Sequence, residues 1–342
     1  MRLRSAPETS AAWRTNSPQA SLPPTRASAR SDVSLPVIAG ASVPGNALSK
    51  DQRAALTRML GSAASFDAPL APKTSMRIGG PAACFAEIKR IDDLVALLAL
   101  CERDRIAWSM LGFGSNLLIR DEGFPGVVVR LAGDFTKVTI DKTRVRAGGA
   151  TPIVALCRDA AKAGLAGAEA LVGIPGTVGG AVRMNAGTDV EIGDVIDRVE
   201  VLVAGDTLQT FTKPEFTYRR STLDRRAVVC AAELVLQHAD PSEVRAELNR
   251  RIARRNATQP LELPNFGSVF KNPPGDHAAR LIETAGCKGW RTGGAQVSEK
   301  HANFIVNRGG ATCKDVLALI DRVRAAVTAQ HGVDLELEVH IL

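Results

Sequence analysis

The sequence predicts a mixed fold, α/β or α+β, in two parts that meet near residues 238–242. Three observations carry this reading. Short apolar runs of strand length alternate with longer segments whose apolar residues recur at helical spacing. Glycines crowd into a few loops of the first part, while the second is richer in helical pattern. The chain has 342 residues, 45% of them hydrophobic, enough for two or three domains with cores and too many for one small binding module.

In chain order, residues 1–50 come first. They hold six of the 18 prolines and nine serines, and carry four of the seven net positive charges. Such a segment cannot bury enough surface to offset its ordering entropy, so disorder is expected. Rich in Arg and Ser and poor in acid, it has the look of an organelle transit peptide. A solvated bacterial extension or a start codon set too early are the plainer readings. It has no apolar core of a secretory signal. Folding signals begin near Asp51. Asp92 and Asp93 head a helix to about Arg103, with Leu94, Leu97, Leu98 and Cys101 on one face. Residues 107–111 and 127–129 read as short buried strands, and 138–140 and 145–147 flank Asp141-Lys142 as a hairpin. Thr151 is expected to cap a helix that stops at Gly164, and Ser242 to cap another running to about Arg254. Helices are further expected over 276–285 and 313–329, and a strand over 335–342.

Several function classes drop out. Outside residues 1–50 the chain has a net charge of only three and no basic block suited to a row of phosphates, so nucleic acid is not an expected partner. The longest apolar run, residues 94–100, is far short of the ~18 residues a membrane span needs. Cys84, Cys101, Cys157, Cys230, Cys287 and Cys313 are scattered without a C-x-x-C pair, and the five histidines form no H-x-x-x-H pair. No metal site is expected, and the cysteines read as small core residues of a reducing cytosol.

The chemistry-bearing motifs are glycine loops and two later clusters. Gly112-Phe113-Gly114-Ser115-Asn116 follows an apolar strand; its glycines permit close backbone approach and its amides can form an anion nest. A plain tight turn is the alternative. It is no dinucleotide fingerprint, because Leu117 stands where the third glycine belongs, and the chain has no G-x-x-x-x-G-K-[ST]. Gly173-Ile174-Pro175-Gly176-Thr177-Val178-Gly179-Gly180, followed by Asn185-Ala186-Gly187, is a second such loop, suited to a diphosphate held by backbone. Two together point to a phosphate-bearing cofactor. A third stretch, Thr74 to Pro81, includes Arg77, which could add a charge. Tyr218, the only tyrosine, precedes Arg219, whose fork of donors suits a carboxylate or an enolate; a surface arginine beside a half-buried tyrosine is the bland reading. Ser268 follows Gly267 in an apolar turn with Lys271 and Asn272, and is not a G-x-S-x-G elbow. Without a recognisable base it is a proton donor or a turn residue. Glu336 and Glu338 share one face of the last strand by the period-two rule, which ordinarily means a solvated edge.

Taken together, these stretches resemble the UDP-N-acetylenolpyruvoylglucosamine reductase (UDP-N-acetylmuramate dehydrogenase) family. The matching stretches are T-S-M-R-I-G-G-P-A from Thr74, G-F-G-S-N from Gly112, G-I-P-G-T-V-G-G-A-V-R-M-N-A-G from Gly173 and Y-R-R-S from Tyr218. G-S-V-F-K-N-P from Gly267, A-N-F-I-V-N from Ala302 and L-E-L-E-V from Leu335 complete the set in the family's order, over roughly residues 55–342. The short spacing from Tyr218 to Ser268 resembles the subtype that lacks a tyrosine-bearing loop. The resemblance implies an α+β fold: a vanillyl-alcohol-oxidase-like (PCMH-type) FAD-binding domain of two α/β subdomains over residues 51–240, and a substrate-binding domain over 241–342. It implies a monomeric cytoplasmic enzyme of peptidoglycan precursor synthesis, in which NADPH reduces FAD and the enolpyruvyl double bond of UDP-N-acetylglucosamine enolpyruvate is then reduced to UDP-N-acetylmuramate. By the same resemblance Ser268 delivers the proton, Arg219 and Glu338 stabilise the enediolate-like intermediate, and Tyr218 and Asn272 hold substrate. The flavin falls to Arg77, Gly112, Gly114, Ser115, Asn116, Ile174, Pro175, Gly176, Thr177, Gly179, Gly180, Asn185, Ala186 and Gly187. Two stretches depart from the family: His340, where the family often has a basic residue two after the glutamate, and Thr188-Asp189-Val190 in place of an aromatic-glycine pattern common in relatives. A different flavin oxidoreductase of this architecture, acting on an alcohol or sugar, is the alternative, as is a flavin- or nucleotide-binding protein that has lost catalysis.

Overall fold

The computed structural model describes residues 48–203 and 207–342. The expected disorder of the N-terminal extension falls outside them, except at its last three residues. There Ser49 already caps α1 (Lys50–Leu60), its hydroxyl accepting from the Gln52 amide while the Gln52 side chain accepts from the Ser49 amide.

The first sheet orders its strands Ala64–Pro69, Pro81–Ile88, Phe124–Leu131 and Trp108–Met110. The last three run parallel. Both faces are covered, which is why 127–129 is an unbroken apolar run. Val127 and Val129 pack with Leu94, Leu97 and Cys101 of α2 (Ile91–Arg103), and Val128 packs on the other side with Phe85, Leu111 and Leu117. The second sheet is antiparallel, in the order Leu208–Thr212, Ile196–Leu202, Val228–Val235, Arg144–Gly148 and Val138–Asp141. The expected hairpin is its edge. Its covered face carries α3 (Ile153–Lys162), α4 (Val178–Met184) and α5 (Pro241–Thr258), whose Leu248 and Ile252 join that core.

The third sheet, Asn265–Ser268, Phe304–Asn307, Ala295–Val297 and Arg291–Thr292, is antiparallel and backed by α6 (Ala278–Thr284) and α7 (Cys313–His331). The chain then returns to the first part. His340–Ile341 pairs parallel with Leu117–Leu118, and Leu342 is buried in the first sheet's core.

Local expectations fail where a neighbour supplies what the sequence does not display. Thr151 is no cap: Pro152 holds that position, and the Thr151 hydroxyl is buried without a hydrogen-bond partner. Asp240, not Ser242, caps α5, accepting from the Ser242 and Glu243 amides. A carboxylate two residues before the first amide outcompetes a hydroxyl already inside the helix. The 335–342 strand shrinks to His340–Ile341, because before it the segment makes only an isolated bridge, Leu337 to Phe270. All six cysteines are free and buried, and burial pushes the Cys101 and Cys157 thiols up to about 12.

Candidate active site

Between these parts lies a cleft of about 1290 Å³. Its floor is built by backbone. Gly112 to Asn116 leaves the first sheet directly after Trp108–Met110. Gly114 sits at φ +61°, and a Cβ there would come within 2.8 Å of the Thr74 Cα, so neither the conformation nor the space admits a side chain. The second loop is half helix, a correction to its reading as one continuous turn: α4 starts at Val178 with Thr177 as its cap. Three bonds clamp it to the turn before α3, from Ile153 N to Gly176 O (3.0 Å), Val178 N to Thr151 O (2.9 Å) and Gly179 N to Gly149 O (2.8 Å). Gly180 is exposed on this helix, and a Cβ there would meet only Thr177 Oγ1 at 3.7 Å. Packing does not require that glycine, and alanine would suit a helix better. The bare backbone leaves room for a ligand to approach closely, so the cradle fits a dinucleotide cofactor such as FAD.

The wall is built by charge. Arg219 is held at φ +58° in the turn between Phe216–Thr217 and Arg220–Ser221. Its Nε donates to Glu338 Oε1 (2.9 Å), one Nη to Glu191 Oε1 (3.1 Å), and the other to the Gly187 carbonyl (2.9 Å). Tyr218 lies against the same guanidinium, its ring centroid 4.7 Å away. The side chains of Arg219 and Glu338 are only 13% and 17% exposed, so their pairing is an interior one. Burial pushes the Glu338 carboxyl above its ordinary range, against the pull of Arg219 and Lys271. Glu338 reaches this place because 335–339 runs beside the serine turn. Lys271 N donates to Glu336 O and Glu338 N to Val269 O, each at 2.9 Å, the latter one residue from Ser268. Asn116 Nδ2 donates to the Glu338 carbonyl at 3.0 Å, and His340 N to the Asn116 carbonyl at 3.1 Å, fixing the chain end to the first glycine loop. His340 Nε2 lies 2.9 Å from Met184 Sδ. Glu336, the outward glutamate, pairs with Lys271.

Of the residues singled out from sequence, Ser268, Arg219, Glu338 and Asn272 line this one cleft. So do Gly112, Gly114, Ser115, Asn116, Ile174, Pro175, Gly176, Thr177, Gly179, Gly180, Ala186 and Gly187. Three stand apart. Arg77 is exposed and off the cleft wall. Asn185, left-handed at the end of α4, spends its side chain on Glu191 and the Gly193 amide. Tyr218 is exposed off the wall, its hydroxyl accepting from the Asn272 amide at 3.3 Å. Asn272 Oδ1 in turn accepts from the Ala278 amide at 3.0 Å. Sequence reasoning missed Glu191, which joins Asn185 to Arg219; its one local signal is a reciprocal cap with Asp194. It also missed the arginines of α5 on the cleft wall. Among the described residues no cluster of metal-ligating side chains occurs, and no helix is long and apolar enough to cross a membrane.

Known proteins resemble this chain in both of its parts. Residues 82–212 match the FAD binding domain family, and residues 259–342 match the C-terminal domain of UDP-N-acetylenolpyruvoylglucosamine reductase. The chain is 45% identical to UDP-N-acetylenolpyruvoylglucosamine reductase 2 of Symbiobacterium thermophilum, over 80% of this chain and 90% of that one. It is 46% identical to the Moorella thermoacetica reductase, over 80% and 91%. The crystal structure of the Thermus caldophilus reductase superposes with a TM-score of 0.70 at 37% identity, covering 81% of this chain and 97% of that one. On these matches, the chain belongs to the UDP-N-acetylenolpyruvoylglucosamine reductase family.

Proposed function

We propose that this chain uses NADPH and FAD to reduce the enolpyruvyl double bond of UDP-N-acetylglucosamine enolpyruvate, giving UDP-N-acetylmuramate for peptidoglycan and so serving cell shape and division. We place it in the cytoplasm as a monomer, with residues 51–240 binding FAD and 241–342 binding substrate. The observation that supports this most is a convergence. Ser268, Arg219 and Glu338 come from three distant stretches and line one cleft with both glycine loops.

FAD, when bound, supplies hydride chemistry. The chain's own residues manage the displaced electron pair and the proton. A hydride added to the vinyl CH₂ carbon drives an electron pair into the substrate carboxylate, leaving an enediolate. Arg219, already fixed by three acceptors, is a preorganised positive charge for that oxygen. Ser268 Oγ gives its proton to the adjacent carbon and regains one from solvent. A hydroxyl is a weak acid, so this step depends on a strongly basic intermediate and on neighbours that share the charge left on oxygen. Glu338 orients Arg219, and Asn272 borders the substrate, with Tyr218 supporting it from outside the wall through the Asn272 backbone amide.

The test is anaerobic spectroscopy of the flavin-loaded protein. NADPH should bleach the flavin and UDP-N-acetylglucosamine enolpyruvate should restore its colour rapidly. Bleaching without recovery would reject the substrate and favour a flavin oxidoreductase acting on an alcohol or sugar. Failure to bind flavin after reconstitution would reject the whole proposal.

A further inference from the structure

Helix α5 carries Arg250, Arg251, Arg254 and Arg255, and all four line the cleft. They form two adjacent pairs one helical turn apart, Arg250 with Arg251 and Arg254 with Arg255, so one helix face presents them together. The first pair is neutralised. Both of its members hold Glu247, and Arg251 also reaches Asp189 at 3.0 Å. The second pair is not. No acidic residue follows Glu247 in α5, and among the described residues neither Arg254 nor Arg255 makes an ion pair. Arg255 is half-buried. Its Nε donates to Gln259 Oε1 at 3.0 Å, and that is its one hydrogen bond to another side chain among the described residues. Burial alone acts on its pKa, and lowers it. A cation stripped of water without a counter-charge is costly unless something anionic comes to it.

The position of this pair says what that anion accompanies. Just beyond Gln259, the Pro260 carbonyl accepts from Asn265 Nδ2 at 3.1 Å, and Asn265 opens the strand that ends at Ser268. The end of α5 is thus tied to the strand that carries the reacting hydroxyl. We propose that Arg254 and Arg255 form a phosphate-binding subsite that anchors the nucleotide whose reacting end lies at Ser268. The inference rests on the proposed function for which nucleotides those are. The phosphate is either the diphosphate of the UDP-sugar or the 2′-phosphate of NADPH. The bare guanidinium chemistry serves both.

Cations at a helix C-terminus also offset the helix dipole, a purely structural role, so the test must separate the two. The flavin-loaded full chain would be titrated by calorimetry with UDP and with adenosine 2′,5′-bisphosphate, neither of which needs turnover. In Arg255→Gln and Arg254→Gln, binding of at least one probe should weaken by about tenfold or more, the loss of one charge-assisted fork. Loss of UDP alone identifies the diphosphate as the source, and loss of the bisphosphate alone identifies the 2′-phosphate. In steady state the effect should fall on KM for that same nucleotide rather than on kcat. Arg255→Lys keeps the charge and the dipole attraction while losing the fork; it should fold even where the glutamine variant does not, and recover only part of the affinity. Affinities for both probes within twofold of the parent in the glutamine variants, or in Arg255→Lys if those do not fold, overturn the subsite. So does a parent that binds neither probe at millimolar concentration. A parent that binds the probes but never turns over the enolpyruvyl substrate would instead reject the proposed function and leave the subsite standing.

Discussion

The two sides of the cleft are made in different ways. The glycine-loop side is shaped by backbone held to nearby backbone, as where Gly179 bonds Gly149 and α4 sits on the turn before α3. The opposite side is shaped by side chains that meet across long stretches of sequence. Arg219 and Glu338 are 119 residues apart, and one bond from Asn116 to Glu338, across 222 residues, ties this side to the first glycine loop. A backbone cradle fixes shape without charge. A long-range ion network fixes charge without a local signature. Damage to the first should therefore be felt as lost cofactor, and damage to the second as lost chemistry with the cofactor still in place.

The largest expected effect belongs to the chemical side. Ser268→Ala should leave NADPH bleaching of the flavin intact while slowing recovery by substrate about 10²–10⁴-fold, the usual worth of a positioned proton donor. Stopped-flow measurement of the two half-reactions checks this, and loss of both at once would remove Ser268 from its assigned role.

Glu338→Gln comes next. It keeps the shape and removes the charge that orients Arg219, and should slow the substrate half-reaction about 10²–10³-fold. It should also change stability with a definite sign. A carboxyl whose folded pKa is raised favours the folded state below the ordinary carboxylate value of about 4.3, and that contribution is lost as pH rises through the raised value. The parent's unfolding midpoint, relative to the glutamine variant, should therefore fall as pH increases across that window. A flat difference would mean that Arg219 fully compensates the burial of Glu338.

Gly180→Ala addresses the cradle. Alanine is preferred in helices by up to about 1 kcal/mol, and the added methyl meets nothing closer than 3.7 Å. The apoprotein should be as stable as the parent or slightly more so, yet bind FAD more weakly by a factor of about ten or more, measured by flavin fluorescence on titration. If affinity were unchanged, the glycine would have no ligand to admit, and the contrast between the two sides would lose its best support.

This division also explains what could be read from the sequence. Gly112 to Asn116 and Gly173 to Gly180 are legible because a constrained backbone must be written into consecutive residues. The α2 periodicity and the buried 127–129 strand are legible for the same reason. Glu191 was not legible, since its worth lies in reaching Asn185 and Arg219 together. Nor were the arginines of α5, which resemble any solvated helix face until the fold turns them to the cleft. The cap of α5 is not legible from periodicity, because Asp240 lies outside the helical pattern and Asp and Ser are equally good caps. Arg77 carried a motif yet faces solvent, since its left-handed φ of +56° turns the chain without bringing the side chain to the wall.

The smallest effect is expected where the network reaches the rim. Asp189 joins the loop after Gly187 to Arg251 at 3.0 Å, but its side chain is 56% exposed. Bonds from Thr188 first, then from backbone and Arg251, pull its pKa down to about 2. A lowered folded pKa gives stability that is present above the unfolded value and lost as pH falls through about 2. Solvent screening limits its worth, so Asp189→Asn should cost at most about 0.5 kcal/mol at neutral pH, with the difference from the parent vanishing in strong acid. Chemical denaturation at pH 7 and below pH 2 would show both. A cost several times larger would make Asp189 part of the buried network rather than its solvated end, and the charged side of the cleft would then extend from Glu338 through Arg219 and α5 as one unit.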